Sequence, residues 1–150
     1  MPSIWTQNYY HAVFSTRNCN AFIDSEIEKR LYPFLAGVVR DLKSQTLAIN
    51  GMPDHVHVLV RYPPDLSHSD LLRHVKGRSL KWIHETFTRL ASFAWQEGSC
   101  GFTVSASQVD KVEEYIRGQK ERHRLQSFER EIMKLLKLHG VNATREEVLR

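Results

Sequence analysis

The segment His55-Val56-His57-Val58-Leu59-Val60 constrains the chain more than any other. Side chains alternate across a strand, so Val56, Val58 and Val60 share one face while His55, His57 and Leu59 share the other. The valines are the natural core side. Both imidazoles then stand together on the opposite face, spaced to chelate one cation. The plainer alternative is a pair of half-exposed polar residues on the outer face of a sheet.

The neighbouring sequence supplies the rest of a small α+β pattern. Tyr9 to Thr16 is aromatic and β-branched and reads as a first strand. Asp24 or Ser25 caps a helix to about Lys43, with Ile27, Leu31, Phe34, Leu35 and Val38 at helical spacing. Thr46 to Met52 is a second strand, Pro53-Asp54 a turn, and Val56 to Arg61 a third strand. Ser67-His68-Ser69-Asp70 has the spacing of a capping box and opens a second helix. Phe102 to Ser105 is a short strand, with Ala94-Trp95-Gln96 as its lead-in. A second capping box, Ser107 to Asp110, starts a helix running through Tyr115 and Gln119, and a last helix spans about Phe128 to His139. The order β-α-β-β-α-β followed by helices is the ferredoxin-like plan. Helices cover one face of an antiparallel sheet; the other face is left for a ligand or for the extra helices.

With 150 residues, no internal repeat and no long linker, one domain over 1–150 is expected, large enough to hold a core without staples. Twenty-one basic against 17 acidic residues leave +4, which is compatible with a nucleic-acid partner. Cys19 and Cys100 form no CxxC, so a reducing cytoplasm is expected. No run approaches the ~18 apolar residues that cross a bilayer. The first residues carry neither the basic segment nor the apolar stretch of a signal peptide.

Two further groups bear chemistry. Tyr115 and Gln119, four apart on a helix, share a face, and a glutamine carbonyl can complete a His-His-Gln ligand set. Tyr115 also borders the apolar stripe of Val109, Val112 and Ile116, where a tyrosine packs simply as core. Arg73, Lys76, Arg78 and Lys81 lie on one helix, and Arg117, Lys120, Arg122 and Arg124, with His123, follow the tyrosine. Such clusters suit phosphates, whose neutralisation releases counterions, although charged helix faces are commonly just solvated.

Taken together, these pieces resemble the HUH single-tyrosine transposases of the insertion-sequence 200/605 group. The resemblance runs through Met52-Pro53-Asp54-His55-Val56-His57-Val58-Leu59-Val60, Tyr10-His11-Ala12-Val13-Phe14-Ser15-Thr16 and Val75-Lys76-Gly77-Arg78-Ser79. It continues in Trp95-Gln96-Glu97-Gly98, Tyr115-Ile116-Arg117-Gly118-Gln119 and Ser127-Phe128-Glu129. The chain departs from the pattern at Ser99-Cys100-Gly101 and at Gly118, without losing a catalytic group. The resemblance implies His55, His57 and Gln119 as metal ligands and Tyr115 as nucleophile. The implied cofactor is a divalent metal, Mg²⁺ or Mn²⁺. The implied substrate is single-stranded DNA with hairpins near the ends of the element, and from the basic clusters Arg73, Lys76, Arg78, Lys81, Lys120 and Arg122 are expected to contact it. A homodimer is also implied, in which the tyrosine helix of one chain completes the histidine site of the other.

Three rival readings use the same residues. One is a domesticated relative acting on repeated palindromes. A second is a non-catalytic nucleic-acid module, since RNA-binding domains share this strand order; its open sheet face would carry aromatics where this chain has histidines. The third is a metal-dependent phosphodiesterase that uses water and leaves Tyr115 structural.

Overall fold

The computed structural model describes residues 3–150. Four strands form: β1 (Asn8–Ser15), β2 (Gln45–Met52), β3 (His55–Tyr62) and β4 (Cys100–Val104). They pair in the order β2-β3-β1-β4, every neighbour antiparallel. With α1 (Ser25–Asp41) between β1 and β2, and α2 (His68–Thr86) between β3 and β4, this is the ferredoxin-like α+β arrangement that the sequence predicts.

The side chains that alternate along β1 and β3 divide the interior in two. Tyr10, Ala12 and Phe14 join Val56, Val58 and Val60 on the face covered by α1 and α2, where Ile27, Leu31, Leu35, Leu71, Val75 and Ile83 complete the main core. Local signals set both helices. Asp24 accepts from the Ile27 amide at 2.9 Å and Ser67 from the Asp70 amide at 3.1 Å, each cap contributing about 1 kcal/mol. The opposite face carries His11, Val13, His55, His57 and Leu59. Four further helices follow β4: α3 (Val109–Arg117), α4 (Gln119–Arg122), α5 (Phe128–Leu138) and α6 (Arg145–Leu149). Val13 packs with Phe102, Phe128, Ile132, Leu136 and Val148, and Leu59 with Ala48 and Ile116. Of the two covers the sequence allows for this face, helices occupy it, and His55 and His57 are fully buried rather than half-exposed.

Three details differ from the sequence expectation. Ser107 caps no helix: Ala106–Gln108 winds into one 3-10 turn, which puts Ser107 inside the turn, its hydroxyl paired with that of Ser105. The helix of Tyr115 ends at Arg117 instead of running through Gln119, because Gly118 leaves helical geometry (φ −85°, ψ 9°) and a new turn starts at Gln119. The short α6 carries too little periodicity to be anticipated. Gly51 is required where β2 turns toward β3, since a Cβ there would lie 2.1 Å from the His55 carbonyl oxygen. None of the helices among the described residues is long and apolar enough to cross a membrane.

Candidate active site

Each polar side chain on the second face is held by an element whose position has a local cause. His55 and His57 come from β3, and Val13 of β1 lies opposite His57 in register. Asn50 on β2 fixes the end of α3, its amide donating to the carbonyls of Ile116 and Arg117 at 3.1 Å each. These bonds satisfy carbonyls left open at a helix C-terminus. Ile116 drops into the sheet beside Leu59, and Tyr115 and Gln119 are thereby set over the histidines. Ser127 caps α5 by accepting from the Arg130 amide, and Phe128 stacks on His55 with ring centroids 4.4 Å apart. That docking aims Glu131, three residues on, inward.

The result is a buried polar cluster within one chain. The Tyr115 ring lies 5.9 Å from the His57 ring, and its hydroxyl donates to Oε2 of Glu131. The Gln119 amide nitrogen donates to the same oxygen at 2.7 Å, while its carbonyl oxygen is 3.2 Å from Nε2 of His55. The other carboxylate oxygen, Oε1, faces Nε2 of His123 at 2.9 Å, of His57 at 3.1 Å and of His55 at 3.4 Å. Behind these rings, Nδ1 of His55 donates to Asp54 at 2.7 Å, Nδ1 of His123 donates to the Gln126 carbonyl at 2.8 Å, and Nδ1 of His57 pairs with Nε2 of His11 at 2.8 Å. His55, His57, His123 and Glu131 each offer a ligand atom within 4.8 Å of the others, a group that can hold a metal ion.

Burial sets the electrostatics. It pushes His57 down to about 4, outweighing its bonds to Glu131, and His11 down to about 3 with help from the neighbouring His57. Burial also opposes charge on His55, but the hydrogen bonds to Asp54 and Glu131 win and hold its pKa above the ordinary value. Burial would raise Glu131; the bonds from His123, His55 and His57 instead hold it far below the usual carboxylate range. Burial, followed by the Glu131 carboxylate, raises the Tyr115 phenol.

All four predicted site residues, His55, His57, Tyr115 and Gln119, are brought together. Two participants escape sequence reasoning. His123 is only one member of a basic run there, and Glu131 resembles any charged residue of an amphipathic helix. One signal exists: Glu131 lies three residues after Phe128 and one before Ile132, on the apolar stripe of α5.

The basic side chains fare unevenly. Lys76 donates to the carbonyls of Gln96 at 2.8 Å and Gly98 at 2.7 Å, Arg78 pairs with Asp41, and Lys120 is held by Glu28, Asn50 and the Gly51 carbonyl. Arg73 and Lys81 are exposed beside Asp70 and Glu85 on their own helix. Arg122 alone reaches the site, its guanidinium 3.9 Å from the centroid of the Tyr115 ring. A cavity of about 990 Å³ opens there, lined by Tyr115, Arg122, Arg130, Glu131, Lys134 and Lys137 among others.

Comparison with known proteins follows the same lines. The family described as "Transposase IS200 like" matches residues 4–119. The ISDra2 transposase TnpA of Deinococcus radiodurans is 23% identical over 115 residues, spanning 73% of this chain and 82% of that protein. A crystal structure of a transposase candidate from Deinococcus radiodurans shares the fold with a TM-score of 0.66 at 22% identity, covering 79% of this chain and 95% of that one. A REP-associated tyrosine transposase bound to a REP hairpin gives 0.62 at 17% identity, covering 82% and 73%.

Proposed function

Because the chain belongs to the IS200-like transposase family, we propose that it nicks and rejoins single-stranded DNA through a 5′-phosphotyrosine formed on Tyr115, at hairpins bordering a mobile element. The observation that carries this reading is the convergence of Tyr115, His55, His57 and Gln119 in one buried site. Hairpin recognition draws support from the relative bound to a REP hairpin.

In this reading the Tyr115 oxygen attacks the scissile phosphorus, the bond to the 3′ oxygen breaks, and that oxygen leaves as a 3′-hydroxyl. Glu131 holds the phenolic proton along the bond it accepts from Tyr115 and is the group positioned to take it. Arg122, over the tyrosine ring, supplies positive charge where the phosphate arrives. His55, His57 and Gln119 would hold a divalent cation, Mg²⁺ or Mn²⁺ by the resemblance; neutral imidazoles and an amide oxygen are fitting donors. Such an ion supplies Lewis-acid polarisation of the phosphate. Reversal by another 3′-hydroxyl rejoins the strand, so the phosphodiester energy is conserved in the protein–DNA bond.

DNA contacts are assigned to Arg122, Arg73 and Lys81, and to Lys76, Arg78 and Lys120 where DNA competes with their internal partners. The homodimer belongs to the same proposal. In this chain Tyr115 lies against its own histidines, so one copy holds a complete set, and sedimentation of the pure protein tests whether the chain dimerises. The function is tested by incubating labelled single-stranded hairpin DNA with the protein, with and without a chelator. Cleavage that needs both the divalent ion and the Tyr115 hydroxyl supports the proposal; cleavage indifferent to Tyr115→Phe favours the phosphodiesterase that uses water.

A further inference from the structure

We propose that the groove beside Tyr115, along α5, seats the unpaired nucleotides next to the scissile phosphate, with Leu125 and Leu138 against their bases and Arg130, Lys134 and Lys137 along their phosphates. This goes further into the cleavage proposed above and rests on that reading. All five residues lie beyond the 4–119 segment that matches the family.

Two features of the groove have no role in folding. The first is a row of cations. Arg130, Lys134 and Lys137, four and three residues apart, share one face of α5, while Phe128, Ile132 and Leu136 face the core. None of the three makes an ion pair among the described residues, nor does Arg122. Elsewhere in the C-terminal region Arg117, Arg124 and Arg145 are each paired with a glutamate. The one acid among the lining residues, Glu131, already engages Tyr115, Gln119 and His123 with its two oxygens. Four uncompensated cations therefore border the cavity of about 990 Å³ that opens at the nucleophile.

The second feature is apolar. Leu125 is 89% and Leu138 78% exposed, and both line that same cavity. Leucines left open among unpaired cations suit a ligand with both flat apolar faces and phosphates. An unpaired DNA strand presents both, whereas a duplex hides its base faces in the stack. A second copy of this chain, itself at +4, matches the cations poorly. The length fits as well. At 1.5 Å per residue, Arg130 to Lys137 spans about 10 Å, which is about three stacked nucleotides at roughly 3.4 Å each. Arg122, 3.9 Å from the centroid of the Tyr115 ring, marks the end of the row where the scissile phosphate meets the phenol.

The test compares two hairpin-free probes of about eight residues, an oligothymidine and the same sugar–phosphate backbone without bases, in anisotropy titrations of the full chain. The wild type is expected to bind oligothymidine at least about fivefold more tightly than the abasic strand. Leu125→Ser with Leu138→Ser is expected to abolish most of that ratio and to leave abasic binding within about twofold. Both positions are exposed, so the fold tolerates the change. Lys134→Gln and Lys137→Gln are expected to weaken both probes alike, each flattening the slope of log affinity against log salt by about 0.7. Equal binding of the two probes by the wild type would overturn the proposal. So would a dimer that the leucine substitutions split without changing the probe ratio, since the leucines would then cover a second copy. Covalent attachment of DNA to Tyr115 with equal probe binding removes this seat and keeps the proposed function. A base-dependent ratio lost in the leucine variant, with no covalent product at Tyr115, supports the seat and removes the function.

Discussion

The phenol of Tyr115 donates its hydrogen bond to Glu131, sixteen residues further along the chain, on a helix that the sequence alone gives no reason to place there. One carboxylate thereby joins the proposed nucleophile to the histidines of β3. Tyr115→Phe removes only the hydroxyl, and Gln119 still donates to the oxygen left behind. The variant is expected to lose about 1 kcal/mol of stability, to bind hairpin DNA within about twofold of the wild type, and to form no covalent product. Urea unfolding and a filter-binding titration check the first two.

Gly51 stands where a methyl group would meet the His55 carbonyl oxygen at 2.1 Å. Gly51→Ala must push β2 away from the first histidine or abandon the pairing. A loss of roughly 1–3 kcal/mol is expected, with reduced metal uptake in the fraction that folds. An unchanged unfolding midpoint would show that the strand ends yield more easily than their packing suggests.

Acid should weaken the metal-free protein. His57 is held down to about 4 and His11 to about 3, whereas both titrate near 6.5 in the unfolded chain. Between those limits the unfolded state binds more protons, so the stability gained by keeping these rings neutral is full above about pH 6.5 and is lost as pH falls toward 4. His55, held above its ordinary value, works in the opposite sense and offsets part of the loss. A decrease on the order of 2 kcal/mol from pH 7 to pH 5 is expected in urea unfolding. His57→Gln should flatten that slope, and greater stability at pH 5 would contradict the assignment.

Much of the site is legible in the sequence, for reasons that differ by element. The valines of β3 alternate with histidines, so the core side of that strand follows from periodicity alone. Asp24 and Ser67 mark helix starts because their cap partners lie only three residues away. Helical spacing puts Gln119 on a continuous helix with Tyr115; Gly118 interrupts it, yet Gln119 still arrives beside His55, because a single non-helical residue scarcely redirects the next turn. Glu131 is not legible. Its inward aim depends on Phe128 docking against His55, seventy-three positions away in the chain, and its place on the apolar stripe of α5 is the one local sign that separates it from Glu129 or Lys134. His123 is hidden in the same way, as one member of a basic run.

The basic residues divide by what they hold. Lys76 binds carbonyls of the segment before β4, so Lys76→Ala is expected to lower stability by about 1–2 kcal/mol. Lys134, on the wall of the cavity at Tyr115, makes no ion pair among the described residues. Lys134→Glu is expected to leave stability within about 0.5 kcal/mol. It should weaken single-stranded DNA binding and flatten the slope of log affinity against log salt by about 0.7 for each phosphate no longer neutralised. Thermal unfolding and binding titrations across a range of salt separate the two effects.

The central claim is that Tyr115 becomes bonded to the 5′ phosphate of a cut strand. Intact-mass analysis of the protein after incubation with single-stranded hairpin DNA and Mn²⁺ tests it most directly. The expected result is a species heavier by the 3′ fragment of the DNA, mapping by peptide sequencing to Tyr115 and absent from Tyr115→Phe. Cut DNA with free 5′ ends and a protein of unchanged mass would contradict the claim.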